Sequence, residues 1–411
     1  MYYQGQFSRC DISIENGTIV SVEKDICGDD EFDASGFIII PGFVNTHAHN
    51  AMTLLRGAGD DMPLQTWLSE RIWPLEANLT AKDCYWGNML GIAEMLKTGT
   101  TCFNDMYFFL EAGIDAINDS GIRASLGYGV LNFGDGQKAV TEMKAAKKYH
   151  AMCSSHERIT YMMAPHAPYS CSKDLLCEIK DYARGKGIKT HIHVSETEKE
   201  VSDSMDAYGM SPVKYLDSFD FLDSSTILAH CVHVSDEDIG ILSKRGCSVL
   251  HCPHSNLKLS SGIAPVPAML DAHVNVALGT DGASSNNTLD MHAEMKTMAL
   301  IHKLSDPTRV PASTALSIAT ENGGRALGLP IGVIGKGYKA DLVFVDANHH
   351  SMTPSHNIVS NMVYSLTPDA VAHVMVDGRF VVVDGKLVTM DEELVKRKAQ
   401  EHALSLVERA G

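Results

Sequence analysis

His47 and His49 close a stretch with almost no charge. The run Phe37-Ile38-Ile39-Ile40-Pro41-Gly42-Phe43-Val44 leads directly into Asn45-Thr46-His47-Ala48-His49. A segment this rich in Ile, Val and Phe reads as a strand buried on both faces. On a strand, residues i and i+2 point to one side, so the two imidazoles project together from its end. Two neutral imidazoles aimed at one point are what a zinc-like cation takes from a strand. A bare His-x-His pair is weak evidence by itself, since two loop histidines look the same.

Four further strand-like runs also end in polar residues. They end in Pro165-His166-Ala167-Pro168, His191-Ile192-His193-Val194-Ser195-Glu196, Ala229-His230-Cys231-Val232-His233 and Gly279-Thr280-Asp281-Gly282-Ala283. Each alone is a modest signal; their joint placement is the specific one. The ligand set this pattern favours is His47, His49, His193 and Asp281, three imidazoles and a carboxylate with room for a water. A two-metal site of this kind needs a bridging ligand, commonly a carbamylated lysine, but the run that should supply it ends Ala164-Pro165-His166 without a lysine. One zinc-class ion is therefore expected, and one suffices to bring the pKa of its water to ~7. Asp281 can accept the water's proton. Glu196, three residues past His193, can protonate a ring nitrogen and relay protons to a leaving group. Lys199 lies close enough in sequence to make a loop ion pair the competing role for Glu196. His230 can hydrogen-bond the attacking water and stabilise charge in a tetrahedral intermediate; the alternative is a satisfied core histidine. His191 and His233 read as structural.

The elements that must position these residues alternate along the chain. The strands expected are Ile38–Val44, Thr100–Asp105, Ala124–Val130, Ile159–Ala164, Lys189–Val194, Thr226–His230, Ser248–Cys252 and Asn275–Thr280. Helical periodicity fills the gaps, as in Ala81–Lys97, Lys173–Arg184, Asp236–Lys244 and His292–Lys303. Eight strands each followed by a helix read as an α/β fold, a (β/α)8 TIM barrel with its site at the strands' C-terminal ends. Both chain ends read as β-structure instead. Asp11-Ile12-Ser13-Ile14-Glu15 and Thr18-Ile19-Val20-Ser21-Val22 flank Asn16-Gly17; a C-terminal meander turns at Asp377-Gly378 and Asp384-Gly385. Neither end has enough strands alone. Residues 1–40 and 336–411 are thus expected to form one small β-sandwich domain, with a helix from about Glu392 to Arg409, around a barrel domain of residues 41–335.

Composition narrows the partners. Hydrophobic residues make up 45% and charged residues 21% of the 411, ordinary values for a globular chain. A net charge of −17 argues against nucleic-acid binding, which needs basic patches. Ten cysteines without a Cys-x-x-Cys pair, after a start without signal-peptide character, point to free thiols in the cytoplasm. No apolar run approaches the ~20 residues of a membrane span.

At this point the chain resembles the amidohydrolase superfamily, and within it the 5-methylthioadenosine/S-adenosylhomocysteine deaminases, including members that act on 5′-deoxyadenosine. The motifs are Pro41-Gly42-Phe43-Val44-Asn45-Thr46-His47-Ala48-His49, Leu54-Leu55-Arg56-Gly57, Trp67-Leu68 with Trp73-Pro74-Leu75-Glu76, Pro165-His166-Ala167-Pro168-Tyr169, His193-Val194-Ser195-Glu196-Thr197, Ala229-His230-Cys231-Val232-His233, Ser255-Asn256-Leu257-Lys258-Leu259 and Gly279-Thr280-Asp281-Gly282-Ala283-Ser284-Ser285-Asn286-Asn287. The resemblance spans nearly the whole chain. It implies one zinc per chain, with iron or manganese as alternatives, on the four ligands above. It implies that Glu76 binds the ribose hydroxyls, a sensible use of a carboxylate facing two donors. It also implies that His166 contacts the substrate, that Glu196 and Asp281 handle the purine, and that water replaces the 6-amino group with release of ammonia. The partner is a small-molecule nucleoside, and a homo-oligomer is expected.

The sequence departs from that pattern twice. Members that use S-adenosylhomocysteine can carry arginines after the third strand, whereas Tyr128 to Lys138 contains none; Tyr128, Phe133 and Lys138 occupy the vicinity. That favours 5′-deoxyadenosine, methylthioadenosine or adenosine, with Tyr128 as a substrate contact. The chain also starts late, so the sandwich is expected to lack an edge strand unless the start codon is misassigned. Two other readings compete: a deaminase or hydrolase of another heteroaromatic ring (guanine, cytosine, a pterin, a chlorotriazine), against which Glu76 argues, and a non-catalytic binding protein on the same fold, against which the complete ligand set argues.

Overall fold

The apolar run before His47 is two strands rather than one. Phe37–Pro41 pairs antiparallel with Leu342–Asp346, while β1 (Phe43–His49) pairs in parallel with β2 (Thr100–Tyr107). Gly42 makes the crossing between sheets, and a Cβ there would collide with the Thr101 side chain. This corrects the single strand expected over Ile38–Val44. Both halves are buried on two faces, and hydrophobic periodicity does not register a change of partner. The computed structural model describes residues 1–3, 5–62 and 64–411.

The remaining barrel strands are β3 (Arg123–Val130), β4 (Ile159–Tyr161, continued by Ala164–Pro165), β5 (Thr190–Val194), β6 (Thr226–His230), β7 (Ser248–His251) and β8 (Asn275–Leu278). Neighbours pair in parallel from β1 to β4 and from β5 to β8. Two seams close the cylinder. The amides of His191 and His193 donate to the carbonyls of Met163 and His166, and Asp281–Gly282 pairs with Ala48 and His49. Val44, Cys102, Met162, Ile227, Leu250 and Ala277 fill the lower interior over Ala326, Leu327 and Ile331. The barrel is therefore a packed core, open to chemistry only at its C-terminal mouth.

Both termini build the second layer. Five antiparallel strands run in the order Lys386–Leu387, Arg379–Val383, Val371–Val376, Leu342–Asp346, Phe37–Pro41. The hairpin Asp11–Glu15 with Thr18–Glu23 packs on this sheet through Ile19, Ile39, Leu342, Phe344 and Met375. Asn16-Gly17, Asp377-Gly378 and Asp384-Gly385 all take positive φ, as two-residue hairpin turns require. Ahead of the hairpin, Tyr2–Tyr3 pairs with Gln6–Phe7. Arg123, at the foot of β3, joins the layers: its guanidinium donates to Asp341 at 2.7 Å and to Asp377 at 3.0 Å. The closing helix, Glu392–Ala410, is tied to helix Ala81–Lys97 by Lys97–Glu392 and by His402 and Arg409 on Asp83. No helix among the described residues is long and apolar enough to cross a membrane, and all ten cysteines are free.

Candidate metal centre and active site

Four donor atoms converge at the barrel mouth. Nε2 of His47 and Nε2 of His49 each lie 3.3 Å from Oδ1 of Asp281, and Nε2 of His193 lies 3.4 Å from Nε2 of His49. A bulge between Asn45 and Ala48 adjusts the end of β1. β8 approaches so closely that a Cβ on Gly279 would sit 2.7 Å from that of His47. Glycine is required there for the mouth to close around the cluster.

Each donor is oriented from behind. His49 Nδ1 faces the Met106 carbonyl at 2.6 Å, and His193 Nδ1 faces the His166 carbonyl at 2.6 Å. A carbonyl only accepts, so both rings carry a proton on Nδ1 and turn Nε2 toward the cluster. His47 Nδ1 meets Nε2 of His191 at 2.9 Å, and His47 Nε2 is buried without a hydrogen bond. Ser255 and Ser285 donate to Oδ2 of Asp281 at 2.6 and 2.9 Å, leaving Oδ1 for the cluster. Three imidazole nitrogens and one carboxylate oxygen, each with its outer partner, fit a single zinc-class ion. Ser195, His230, Cys231 and Asp281 all hold left-handed φ values between 47° and 72°. Such strain in non-glycine residues gathers at functional sites.

The electrostatics follow from burial against Asp281. Burial drives His47 down to about 4, outweighing the Asp281 carboxylate beside it. For His49 burial also pulls down, but Asp281 and the Met106 carbonyl prevail and push it up to about 9. Burial and the surrounding imidazoles hold His193 well below the usual histidine range. Burial alone would raise Asp281, yet His47 and His49 keep it well below the usual carboxylate range.

The other residues expected at the site divide into those that join this cluster and one that does not. Glu196 Oε2 lies 3.9 Å from His230 Nε2, and Ser261 donates to Glu196 Oε1 at 3.3 Å. Burial raises the Glu196 carboxyl. Lys199 binds Asp203 at 2.8 Å rather than Glu196, so the loop ion pair does not form. The His166 ring centroid is 5.0 Å from that of His193, and burial lowers His166 to about 4. Glu76, at the end of helix Trp73–Glu76, accepts a hydrogen bond from Tyr107 at 2.8 Å; burial raises its carboxyl and His49 opposes that rise. Tyr128 is the exception. Strand alternation turns it with Leu126 and Val130 toward the outer helices, its ring 5.2 Å from Tyr149 and 6.4 Å from Phe108. Burial raises its hydroxyl well above the usual tyrosine range, and the nearby Glu142 carboxylate adds to the rise. Its contacts do not reach the histidine cluster.

Several neighbours of the site were not evident from the sequence. His191 backs His47; Tyr107 holds Glu76; Ser255 and Asn256, adjacent on helix Pro253–Lys258, hold Asp281 and His230. Glu200 accepts the backbone amides of Ser195 and Glu196, both at 2.8 Å. Of these, His191 reads from the sequence as structural, and the Ser255-Asn256 stretch as a motif without a role.

A (β/α)8 barrel that gathers three histidines and an aspartate at its mouth is an amidohydrolase arrangement, and the chain belongs to the amidohydrolase family, whose model matches residues 38–381. The 5′-deoxyadenosine deaminase of Methanosphaera stadtmanae is 46% identical over 92% of this chain and 90% of its own length. The 5-methylthioadenosine/S-adenosylhomocysteine deaminase of Pelotomaculum thermopropionicum is 44% identical over 92% of this chain and 88% of its own. Among solved structures, an adenosine deaminase from Xanthomonas campestris with bound zinc matches with a TM-score of 0.91 at 34% identity, covering 97% of this chain and 94% of that one.

Proposed function

We propose that this chain is a metal-dependent deaminase that replaces the 6-amino group of an adenosine-type nucleoside with oxygen from water and releases ammonia. The observation that carries the reading is the convergence of His47, His49, His193 and Asp281 on one point, with Glu196 and His230 beside it. The deaminase relatives supply the substrate class. One zinc ion per chain fits the donor set, iron or manganese being its chemical neighbours, and Ala164-Pro165-His166 offers no lysine to bridge a second ion.

When bound, such an ion lowers the pKa of a water to ~7 and makes hydroxide available at neutral pH. Asp281, held ionised, accepts the proton of the attacking water. Glu196, whose carboxyl is raised by burial, protonates a purine ring nitrogen and passes protons on to the departing amine. His230 donates from Nε2 to the attacking oxygen and stabilises the charge that develops. Glu76 accepts hydrogen bonds from the ribose hydroxyls, and neutral His166 packs against the base. We take residues 41–335 as the catalytic unit and residues 1–40 with 336–411 as a composite supporting domain. A homo-oligomer in a reducing cytoplasm, where ten free thiols persist, completes the proposal.

The test is ammonia release from 5′-deoxyadenosine, 5′-methylthioadenosine, adenosine and S-adenosylhomocysteine, with guanine, cytosine and a chlorotriazine as controls. Turnover of adenosine derivatives is the expected result; turnover of a control alone would overturn it.

A further inference from the structure

The cluster offers two overlapping ligand triads: His47, His49 and His193, or His47, His230 and Asp281, each with ligand atoms within 4.8 Å of one another. Distance alone therefore does not exclude His230 from the coordination sphere. The His230 ring is buried, stacked 5.5 Å from that of His193, with Nε2 turned toward Glu196. What separates His230 from the ligands is the partner behind it. His49 and His193 have carbonyl oxygens at Nδ1. His230 has the amide nitrogen of Asn256, 3.0 Å from its Nδ1.

A carboxamide nitrogen only donates, so His230 Nδ1 must accept, and the single proton of the neutral ring sits on Nε2. A protonated ring nitrogen has no lone pair for a cation but does have a hydrogen for an oxygen. Asn256 is fully buried on helix Pro253–Lys258, where its backbone carbonyl accepts the Ser261 amide at 2.8 Å; its side-chain oxygen has no hydrogen-bond partner among the described residues, so the bond to His230 is that side chain's one polar contact there. Ser255, one residue earlier, holds Asp281. β7 thus carries no ligand of its own, yet the helix that follows it fixes two side chains of the site. We propose that Asn256 is a positioning residue that sets the His230 tautomer, keeping His230 off the metal and available as a hydrogen-bond donor to the attacking water. This rests on the function proposed above and names the residue that gives His230 its part in it.

Two measurements test it. In wild-type protein labelled with 15N-histidine, the His230 signals, assigned by their loss in His230→Ala, should show a protonated Nε2 and an unprotonated Nδ1. The reverse pattern would overturn the proposal. In cobalt-loaded protein, Asn256→Asp places an acceptor at Nδ1, moves the ring proton there and bares Nε2. Its visible absorption bands should differ from wild type, and the double variant Asn256→Asp with His230→Ala should regain wild-type bands. Deamination by Asn256→Asp should fall by roughly 10²–10⁴, the range for losing a positioned proton donor. Wild-type bands in Asn256→Asp, or a band change that persists without His230, would overturn it. The spectra involve no substrate, so a wild type that releases no ammonia would overturn the proposed function and not this assignment.

Discussion

Tyr107 donates its hydroxyl to Oε1 of Glu76 across 2.8 Å and so ties β2 to the end of helix Trp73–Glu76. The bond engages one oxygen of a half-buried carboxylate and leaves the rest of its acceptor capacity available. If that capacity binds ribose hydroxyls, Glu76→Gln should lose a charge-assisted pair of roughly 1.5–3 kcal/mol, or about ten- to a hundredfold in kcat/KM for adenosine derivatives. Tyr107→Phe should lose about 1 kcal/mol, mostly as a raised KM. A 2′,3′-dideoxy substrate lacks the hydroxyls and should respond weakly to Glu76→Gln. Equal losses on both substrates would remove Glu76 from ribose recognition.

The metal centre makes a stoichiometric prediction. Wild-type protein should bind one zinc-class ion per chain, and His193→Ala should lose most of it on dialysis together with activity, since the remaining ligands hold the ion less tightly. Elemental analysis and a chelator competition give the numbers. Two ions per chain in the active form would contradict the single-ion reading.

How much of this site the sequence disclosed depended on the range of the interaction. His47 and His49 were visible because strand alternation is a local rule, and helix Ala81–Lys97 because its period is local. The break at Gly42 was not, because both strands it joins are equally apolar. Asn256 and His230 lie 26 residues apart, and Glu76 and Tyr107 lie 31 apart. Their contacts exist only once the barrel brings successive loops together. Tyr128 lies on β3, and which face of that strand looks outward could be read only once Leu126 and Val130 were seen packed against the outer helices.

Lys199 pairs with Asp203 and not with Glu196. Glu196→Gln keeps the size and the contact with Ser261 but moves no proton. Metal content should stay at the wild-type level while kcat falls by roughly 10²–10⁴. A kcat near wild type in a metal-replete variant would remove Glu196 from the proton path.

Glu200 carries a pH dependence of stability. Burial pushes its carboxyl from 4.5 up to about 7, against the opposing pull of the Ser195 and Glu196 amides. Between those values the folded chain holds a proton that the unfolded chain has released, so stability falls as pH rises through the window. Glu200→Gln has no such proton. The stability of wild type relative to this variant should therefore drop by up to roughly 3 kcal/mol between pH 4.5 and 7.5. Urea unfolding of both metal-free proteins at the two pH values measures it, and a gap that does not change with pH would refute the role.

The last prediction concerns the 5′ substituent. Tyr128 to Lys138 contains no arginine, and Arg123, the nearest in sequence before it, is committed to Asp341 and Asp377 at the foot of the barrel. Lys138 lies over the Phe133 ring, 5.5 Å from its centroid. It is a point charge on a flexible stem and cannot grip a carboxylate in the two-pronged manner of a guanidinium. A homocysteine carboxylate brought to such a pocket loses water without full compensation. The missing pair is worth roughly 1.5–3 kcal/mol, so small neutral 5′ groups should be favoured over S-adenosylhomocysteine by about ten- to a hundredfold in kcat/KM. The measurement is kcat/KM for 5′-deoxyadenosine, 5′-methylthioadenosine, adenosine and S-adenosylhomocysteine in one buffer. It is repeated at low and high salt, because any long-range attraction to Lys138 would fade as the Debye length shortens. Equal or better turnover of S-adenosylhomocysteine at high salt would mean that a tightly paired cation reaches the pocket from another part of the chain or from a second copy, and the inference from the missing arginine would fall.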